Sequence, residues 1–385
     1  MTYQICSRCI MDTTVPRIRF DMKGVCNFCH FHDQLETEHP QGVEGDLRLN
    51  NIYKKVREQS RKRNFDCIVG VSGGRDSTYL LRHLSKEIGL RCLAVHFNDG
   101  FGNPTAGENM QKAAKHLNVE LRTISGDWRE AKDLKLCCIK ASTPDLTLPT
   151  DIGLTAALYG VAAKENVQTI FVGHSFRTEG LMPLEWTYLD GHYLHAIQKQ
   201  FGKVALRPWK VDDPGFHLDW HHLFYYSVIR RIRLITPYYW MEYVRSDVDK
   251  ILTSELDWVY PGAHYYDDLY QSIVTYVLRT KFNIDRRISN YSALVRSGQM
   301  SRDGALERLK EIYVIEDPKV ISLCIKRLGL TKESFEAMID APAKTFRDYP
   351  NLLSIIRRFS FFVAILARLN VIPKSTYAKY CGGLI

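Results

Sequence analysis

The fold is decided by Phe65-Asp66-Cys67-Ile68-Val69-Gly70-Val71, which runs directly into Ser72-Gly73-Gly74-Arg75-Asp76-Ser77. The first part is short, apolar and rich in β-branched residues, which predicts a buried strand of a parallel sheet. After the turn, Leu80, Leu81 and Leu84 follow at helical spacing. The glycine-rich turn therefore leads into a helix N-terminus, where backbone N–H groups and the helix dipole attract a phosphate-sized anion.

Strand-like and helical segments continue to alternate beyond this turn. Strand-like segments occur at 91–97, 119–124 and 169–174, and helical segments at 105–117 and 153–165. This alternation predicts an α/β domain with a parallel sheet. Ligands of such sheets bind beyond the carboxyl ends of the strands. We therefore expect His96, Asn98, Gly173 and His174 to lie at the nucleotide-binding end.

Four cysteines near the N-terminus have the spacing of a metal site. Cys6, Cys9, Cys26 and Cys29 form C-x2-C-x16-C-x2-C, which is typical of a structural zinc knuckle. Four thiolates fill a tetrahedral coordination sphere and leave no position open for a catalytic water. We expect a structural Zn²⁺ in a module spanning 1–45, with an iron–sulfur cluster as the alternative.

The overall composition restricts the class of protein. The net charge of +9 favours an anionic partner without choosing between nucleotide, nucleic acid and acidic membrane. The apolar run at 361–367 spans seven residues, whereas a membrane-spanning helix needs about 20. The N-terminus lacks the pattern of a secretory signal. These features predict a cytoplasmic protein with no transmembrane segment.

The turn at Ser72–Ser77 resembles the SGGxDS signature of the PP-loop ATP pyrophosphatases. These enzymes cleave ATP between its α and β phosphates and transfer the adenylyl group to an oxygen atom. The resemblance implies an adenine nucleotide alpha hydrolase-like domain, expected at 46–215, that uses ATP with Mg²⁺. On this resemblance Ser72, Gly73, Gly74 and Ser77 bind the pyrophosphate, and Asp76 positions the magnesium ion or the loop.

A zinc knuckle before a PP-loop occurs in two groups of enzymes. One group thiolates tRNA and carries a further cysteine pair; the other contains the N-acetyl sugar amidotransferases of bacterial surface-polysaccharide and nonulosonic acid biosynthesis. The six remaining cysteines form no second CxxC pair. The segments 6–16, 173–180 and 281–302 resemble the amidotransferases, although Ala263 stands where that family has a lysine. A tRNA-modifying PP-loop enzyme remains the alternative.

The amidotransferase resemblance implies a reaction and a set of residues. An acetamido group of a sugar, often nucleotide-linked, becomes an acetamidino group by way of an O-adenylyl imidate and ammonia. Cations suit this chemistry because arginine recognises phosphate through two hydrogen bonds and lysine acts as a point charge. The expected catalytic residues are Asp76, Arg177, Lys281 and Arg286, and the expected substrate-binding residues are Glu179 and Arg287.

Partners follow from the same resemblance. It implies that a separate glutaminase subunit and a synthase-like subunit, similar to the histidine-pathway pair, supply the ammonia, and we expect this chain to lack space for a glutaminase domain of its own. The segment 216–385 is expected to be a mainly helical domain for the substrate or a partner. A sugar or nucleotide-sugar is favoured over nucleic acid as the substrate.

Overall fold

A five-stranded parallel sheet organises the fold. The computed structural model describes residues 2–262, 266–368 and 374–382. The strands are β1 (Cys67–Gly70), β2 (Cys92–Asn98), β3 (Glu120–Ser125), β4 (Thr169–Phe171) and β5 (Arg233–Ile235). They are arranged in the order β3-β2-β1-β4-β5, and every neighbouring pair is parallel. This arrangement confirms the predicted α/β class.

Along the chain, helices lie before the first strand, between the strands and after the last strand. Before β1 lie α1 (Asn27–Glu38) and α2 (Val43–Gln59). Between β1 and β5 lie α3 (Arg75–Arg82), α4 (Pro104–Leu117), α5 (Trp128–Ala141), α6 (Leu148–Lys164), α7 (Gly191–Phe201) and α8 (Trp220–Phe224). After β5 lie α9 (Arg245–Leu256), α10 (Gln271–Phe282), α11 (Arg286–Arg296), α12 (Arg302–Lys310), α13 (Pro318–Arg327), α14 (Lys332–Asp340), α15 (Leu353–Arg358), α16 (Ser360–Arg368) and α17 (Lys374–Tyr380).

Both faces of the sheet are buried in apolar cores. Successive side chains of a strand point to opposite faces, so Ile68 packs into one core and Val69 into the other. The same division places Leu93 and Ala94 on opposite faces. A strand buried on both sides has a continuous apolar sequence, which is the pattern that β1 shows.

The sheet extends further along the chain than the sequence indicated. Strand β5 pairs with β4 through Thr169–Arg233, Ile170–Leu234 and Phe171–Ile235. The expected domain boundary at residue 215 therefore falls before the last strand of the sheet. After β5 the regular elements of the described residues are helices, in agreement with the expected helical C-terminal region.

Long-range hydrogen bonds attach the N-terminal module to the C-terminal helices. The guanidinium group of Arg302 on α12 donates hydrogen bonds to the carbonyl oxygens of Cys6 (3.0 Å) and Cys9 (3.1 Å). The backbone N–H of Ile10 donates to the hydroxyl of Ser292 on α11 at 3.3 Å. The two cysteine carbonyls are thus fixed by a residue almost 300 positions away.

No helix within the described ranges is both long enough and apolar enough to cross a membrane.

Candidate active site

The turn after β1 has a backbone that only glycine accommodates. Gly73 has a φ of +79°, and a Cβ atom there would lie 2.0 Å from the carbonyl oxygen of Ala106. At Gly173, beyond the end of β4, a Cβ atom would approach the backbone of Asp76 to 3.0 Å. Positive φ and such close approaches exclude side chains, so these two glycines allow the loop to pack between α4 and the end of β4.

Two serine hydroxyls close the loop over the start of α3. The backbone N–H of Ser72 donates to the hydroxyl of Ser77 at 3.1 Å, and the two hydroxyl oxygens are also 3.1 Å apart. The backbone N–H of Gly74 approaches the Ser72 hydroxyl at 3.4 Å. Because α3 begins at Arg75, the loop presents a helix N-terminus and hydroxyl groups to an anion.

Asp76 is held by two tyrosines from the segment between β5 and α9. The Tyr243 hydroxyl donates to the Asp76 carboxylate, and the Tyr238 hydroxyl donates to its backbone carbonyl at 2.5 Å. Burial raises the pKa of Asp76, whereas the nearby positive charge of Arg245 opposes this shift. The aromatic-rich segment therefore positions an acidic group of the loop.

A cavity of about 360 Å³ opens beside the loop, at the carboxyl ends of β1, β2 and β4. We call it the loop cavity. The predicted residues that line it are Ser72, Gly74, Asp76, Ser77, His96, Asn98, Gly173, His174 and Glu179. Gly73 contributes loop backbone packed against Ala106. The volume is within the range of small-molecule sites.

Two histidines line the loop cavity, and their pKa values are shifted in opposite directions. His174 Nδ1 lies 2.8 Å from a carboxylate oxygen of Glu179, whose other oxygen accepts a hydrogen bond from the Ser175 backbone at 3.3 Å. Burial lowers the pKa of His174, but the Glu179 carboxylate outweighs it and the pKa is raised. Burial lowers the pKa of His96, whose Nδ1 is 3.1 Å from the Val71 carbonyl oxygen. His174 is thus the histidine suited to carry a positive charge.

The loop cavity is also lined by four carboxylates that the sequence analysis did not assign to the site: Asp99, Asp151, Asp267 and Asp268. Burial raises the pKa of Asp267 and raises that of Asp268 to about 8. Asp99 forms a buried ion pair with Lys135 at 2.7 Å. Carboxylate oxygens are ligands that Mg²⁺ prefers, so Asp76 and this cluster include candidates for holding the ion that accompanies a triphosphate. Asp99 directly follows Asn98 at the end of β2, and the strand-end rule could have identified it.

The four N-terminal cysteines have the geometry of a metal centre. All four are fully buried, and their Sγ atoms lie within 4.8 Å of one another. The Sγ atoms of Cys6 and Cys29 are 3.8 Å apart, those of Cys9 and Cys26 are 3.7 Å apart, and those of Cys26 and Cys29 are 3.6 Å apart. Sulfurs around one tetrahedral zinc ion, each at ~2.3 Å, lie about 3.8 Å apart. The four thiols therefore fit a single metal ion.

Comparison with known proteins bears on the C-terminal half. Residues 262–360 match the family model described as the C-terminal domain of LPS biosynthesis protein WbpG-like. This part of the chain is similar to that domain, and we refer to it as the WbpG-like domain. It includes the segment 281–302 on which the amidotransferase resemblance partly rests, and the match confirms that resemblance. The loop geometry and the WbpG-like domain together indicate a PP-loop enzyme.

Other similarities extend over more of the chain. A Methanocaldococcus jannaschii protein called "Uncharacterized protein MJ1599" is 23% identical over 329 residues, covering 84% of this chain and 99% of that protein. NMN synthetase from Francisella tularensis has a TM-score of 0.31 at 14% identity, covering 69% of this chain and 97% of that one. The U34-tRNA thiolase NcsA from Methanococcus maripaludis, with its 4Fe-4S cluster, has a TM-score of 0.30 at 15% identity, covering 70% and 82%.

Arg177 lies away from the loop cavity, although Glu179 lines it. The buried Arg177 guanidinium forms an ion pair with Glu36 of α1 at 2.7 Å. It also donates to the carbonyl oxygens of Tyr239 and His39, each at 2.8 Å. Arg177 therefore joins the N-terminal module to the loop after β4 and does not face the cavity.

The expected cations of the WbpG-like domain occupy three different settings. Lys281 donates to the carbonyl oxygens of Met338, Ile339 and Ala341, at the end of α14. Arg286 donates to Gln271 at 2.8 Å, and Gln271 lines the loop cavity. Arg287 pairs with Asp285 at 2.7 Å and lines a second cavity. Of these three cations, Arg286 is linked to the loop cavity through Gln271. The family departure at Ala263 lies outside the described residues.

Proposed function

We propose that this chain is an ATP-dependent amidotransferase of bacterial surface-polysaccharide biosynthesis. It converts an acetamido group of a sugar or nucleotide-linked sugar to an acetamidino group. The observation that carries the proposal is the presence, in one chain, of a PP-loop cavity and a WbpG-like domain. Gln271 belongs to the segment that matches the WbpG-like model, and it lines the loop cavity. The domain therefore contributes directly to the site.

The first step activates the amide, whose oxygen is a poor leaving group. The amide oxygen attacks the α-phosphorus of ATP, the bond from that phosphorus to the bridging oxygen of the β-phosphate breaks, and pyrophosphate leaves. The product is an O-adenylyl imidate. The N-terminus of α3 and the hydroxyls of Ser72 and Ser77 hold the departing phosphates, because these groups stabilise negative charge. A protonated His174 adds a positive charge at the same cavity.

The second step replaces the activated oxygen with nitrogen. Ammonia adds to the imidate carbon, the carbon–oxygen bond breaks, and AMP leaves with the bonding electron pair. Asp76 and its neighbouring carboxylates would hold Mg²⁺, which would neutralise phosphate charge.

We further propose that the four-cysteine centre holds a structural Zn²⁺. In a 4Fe–4S cluster each cysteine binds a different iron, and in a 2Fe–2S cluster the four cysteines are divided between two irons, so in both cases the four thiolates are spread more widely than around one ion. The Sγ separations of 3.6–3.8 Å support a single tetrahedral ion. In this arrangement the metal stabilises the module and takes no part in the reaction.

The ammonia comes from a separate glutaminase subunit that works with a synthase-like subunit. The test combines the purified chain with ATP, Mg²⁺, ammonium and a panel of UDP-diacetamido sugars and nonulosonic acids. We expect equal amounts of AMP and pyrophosphate with one of the sugars, and none when glutamine alone replaces ammonium. AMP formation with tRNA and with none of the sugars would contradict the proposal. Full turnover on glutamine alone would contradict the separate glutaminase.

A further inference from the structure

A second cavity of about 670 Å³ adjoins the loop cavity. Arg75 and Tyr260 line both cavities. The remaining walls come from the start of α9, one face of α11, and the residues around α12 up to Val314. We call this the arginine cavity, since Arg75, Arg245, Arg287 and Arg308 line it. It lies mostly within the WbpG-like domain.

Two helices begin at the arginine cavity. α9 has 12 residues and starts at Arg245, and α12 has nine residues and starts at Arg302. Ser246 and Gly304, in the first turns of these helices, both line the cavity. Helix N-termini attract negative charge because their first N–H groups have no partner within the helix. The side-chain oxygen of Gln299 accepts from the Arg245 backbone N–H at 3.2 Å, and the Ser301 hydroxyl accepts from the Gly304 N–H at 3.1 Å. The helix dipoles therefore provide the attraction at this site.

Buried polar atoms at the same place have no partner. Asn290 is only 5% exposed, and its side-chain oxygen makes no hydrogen bond within the described part of the chain. The Nε atom of Arg245 is likewise buried without a partner among the described residues. Buried polar groups are nearly always hydrogen-bonded. Both residues line the arginine cavity. The Nε–H of Arg245 is a donor that an oxyanion can accept from, whereas the Asn290 oxygen is an acceptor that needs a donor such as a sugar hydroxyl group.

The charges that line the arginine cavity leave an excess of positive charge. The acidic lining residues are Asp249, which pairs with Arg75, and the exposed Glu311. Arg287 is neutralised by Asp285. Neither Arg245 nor the exposed Arg308 forms an ion pair with a carboxylate of the described residues. These two cations therefore remain to attract an anion.

Arg245 connects the two cavities electrostatically. Its guanidinium donates to the carbonyl oxygen of Thr178, in the loop that leads from His174 past Glu179, at 2.9 Å. Its charge is also close enough to Asp76 to oppose the rise in that pKa which burial causes. An anion bound beside Arg245 would therefore lie next to the PP-loop.

We propose that the arginine cavity binds the oxyanion group of the sugar substrate, either a phosphate or a carboxylate, and so directs the acetamido group toward the loop cavity. Arg245 and Arg308 contact this group, and the side-chain oxygen of Asn290 accepts a hydrogen bond from a hydroxyl group of the same sugar. The inference rests on the proposed function, because it requires a second substrate beside ATP. Arg75 and Tyr260 line both cavities, so a sugar whose oxyanion lies in the arginine cavity has its acetamido group beside the loop cavity.

The test measures binding to the purified full chain by calorimetry. UDP serves as the phosphate probe, N-acetylneuraminic acid as the carboxylate probe, and α,β-methylene-ATP as the probe of the loop cavity. We expect Asn290→Asp and Arg308→Glu to weaken one of the first two probes at least about tenfold, or about 1.4 kcal/mol. Binding of α,β-methylene-ATP should not change. Arg61→Glu, at an exposed residue that lines neither cavity, is the matched control.

The outcomes separate this inference from the proposed function. The inference is wrong if both variants bind UDP and N-acetylneuraminic acid as the wild type does, or if the wild type binds neither while it binds α,β-methylene-ATP. It is also wrong if a sugar supports AMP release and Arg308→Glu leaves the KM for that sugar unchanged. If no sugar supports AMP release but the variants weaken binding of a probe, the proposed reaction is wrong, and the assignment of the arginine cavity as an oxyanion site is confirmed. The exposed Arg308 provides the test even if Asn290→Asp does not fold.

Discussion

At the scale of single residues, Gly73 sets the shape of the phosphate-binding loop. Its φ of +79° is costly for any other residue, and a Cβ would lie 2.0 Å from the carbonyl oxygen of Ala106. We expect Gly73→Ala to move the loop away from α4 and to weaken α,β-methylene-ATP binding at least about tenfold. Calorimetry with the purified variant measures this loss.

Gly107 provides the matched control for this substitution. It follows Ala106 within α4, and a Cβ atom there meets nothing within 4 Å. Gly107→Ala should therefore keep wild-type nucleotide affinity and raise stability by up to about 1 kcal/mol, since alanine favours the helix. Equal nucleotide affinity in Gly73→Ala and the wild type would show that the loop does not require glycine at position 73.

Local patterns identify some site residues and cannot identify others. His96 and Asn98 lie in the last part of β2, and Gly173 and His174 lie just beyond β4. The rule for parallel sheets therefore places all four at one edge without knowledge of the tertiary fold. Arg245 and Asp267 reach the same region from distant segments, and nothing in their neighbouring sequence indicates it. A motif also cannot show that the Arg177 side chain reaches Glu36 in the N-terminal module.

At the scale of elements, Lys281 stabilises the end of a helix. Its ammonium group donates to the carbonyl oxygens of Met338, Ile339 and Ala341, at 2.6–3.0 Å, where α14 ends. Cations are favourable at helix C-termini, and hydrogen bonds to charged groups contribute more than neutral ones. We expect Lys281→Met to lower the free energy of unfolding by about 1–3 kcal/mol, measured by urea denaturation.

The kinetic constants distinguish this structural role from a catalytic one. Lys281→Met should keep the wild-type kcat at a temperature where the variant is folded. Lys310→Met is the control, because Lys310 is 72% exposed and pairs only at the surface with Glu307, a contact worth little. A large loss of kcat in Lys281→Met with unchanged unfolding would restore the catalytic role that the family resemblance implies.

At this scale, whether a strand can be predicted from the sequence depends on its length and on the strand with which it pairs. β1 and β2 are apolar on both faces and were predicted, whereas β5 has only the residues Arg233–Ile235 and lies in a basic stretch. Its strand conformation depends on pairing with β4, more than 60 positions earlier. A strand this short is stabilised by its neighbour, and its own sequence contains no periodic signal to detect.

At the scale of the whole molecule, the cysteine module and the arginine cavity are coupled through α12. Arg302, the first residue of α12, holds the carbonyl oxygens of Cys6 and Cys9. The same helix contributes Gly304, in its first turn, and Arg308, in its second, to the cavity wall. A change in the backbone of the metal site is therefore transmitted to the N-terminus that faces the proposed oxyanion.

Removal of the metal should consequently weaken substrate binding as well as stability. In Cys29→Ser we expect loss of the zinc, a lower Tm, and weaker binding of whichever of UDP or N-acetylneuraminic acid the wild type binds, because structural zinc provides much of the folding energy of such modules. Elemental analysis, thermal unfolding and calorimetry measure these three effects. Cys381→Ser, at a partly exposed cysteine outside the four-cysteine centre, should change none of them. Coupling through α12 is contradicted if Cys29→Ser loses its metal and still binds that probe with wild-type affinity, and iron in place of zinc would contradict the assignment of the metal.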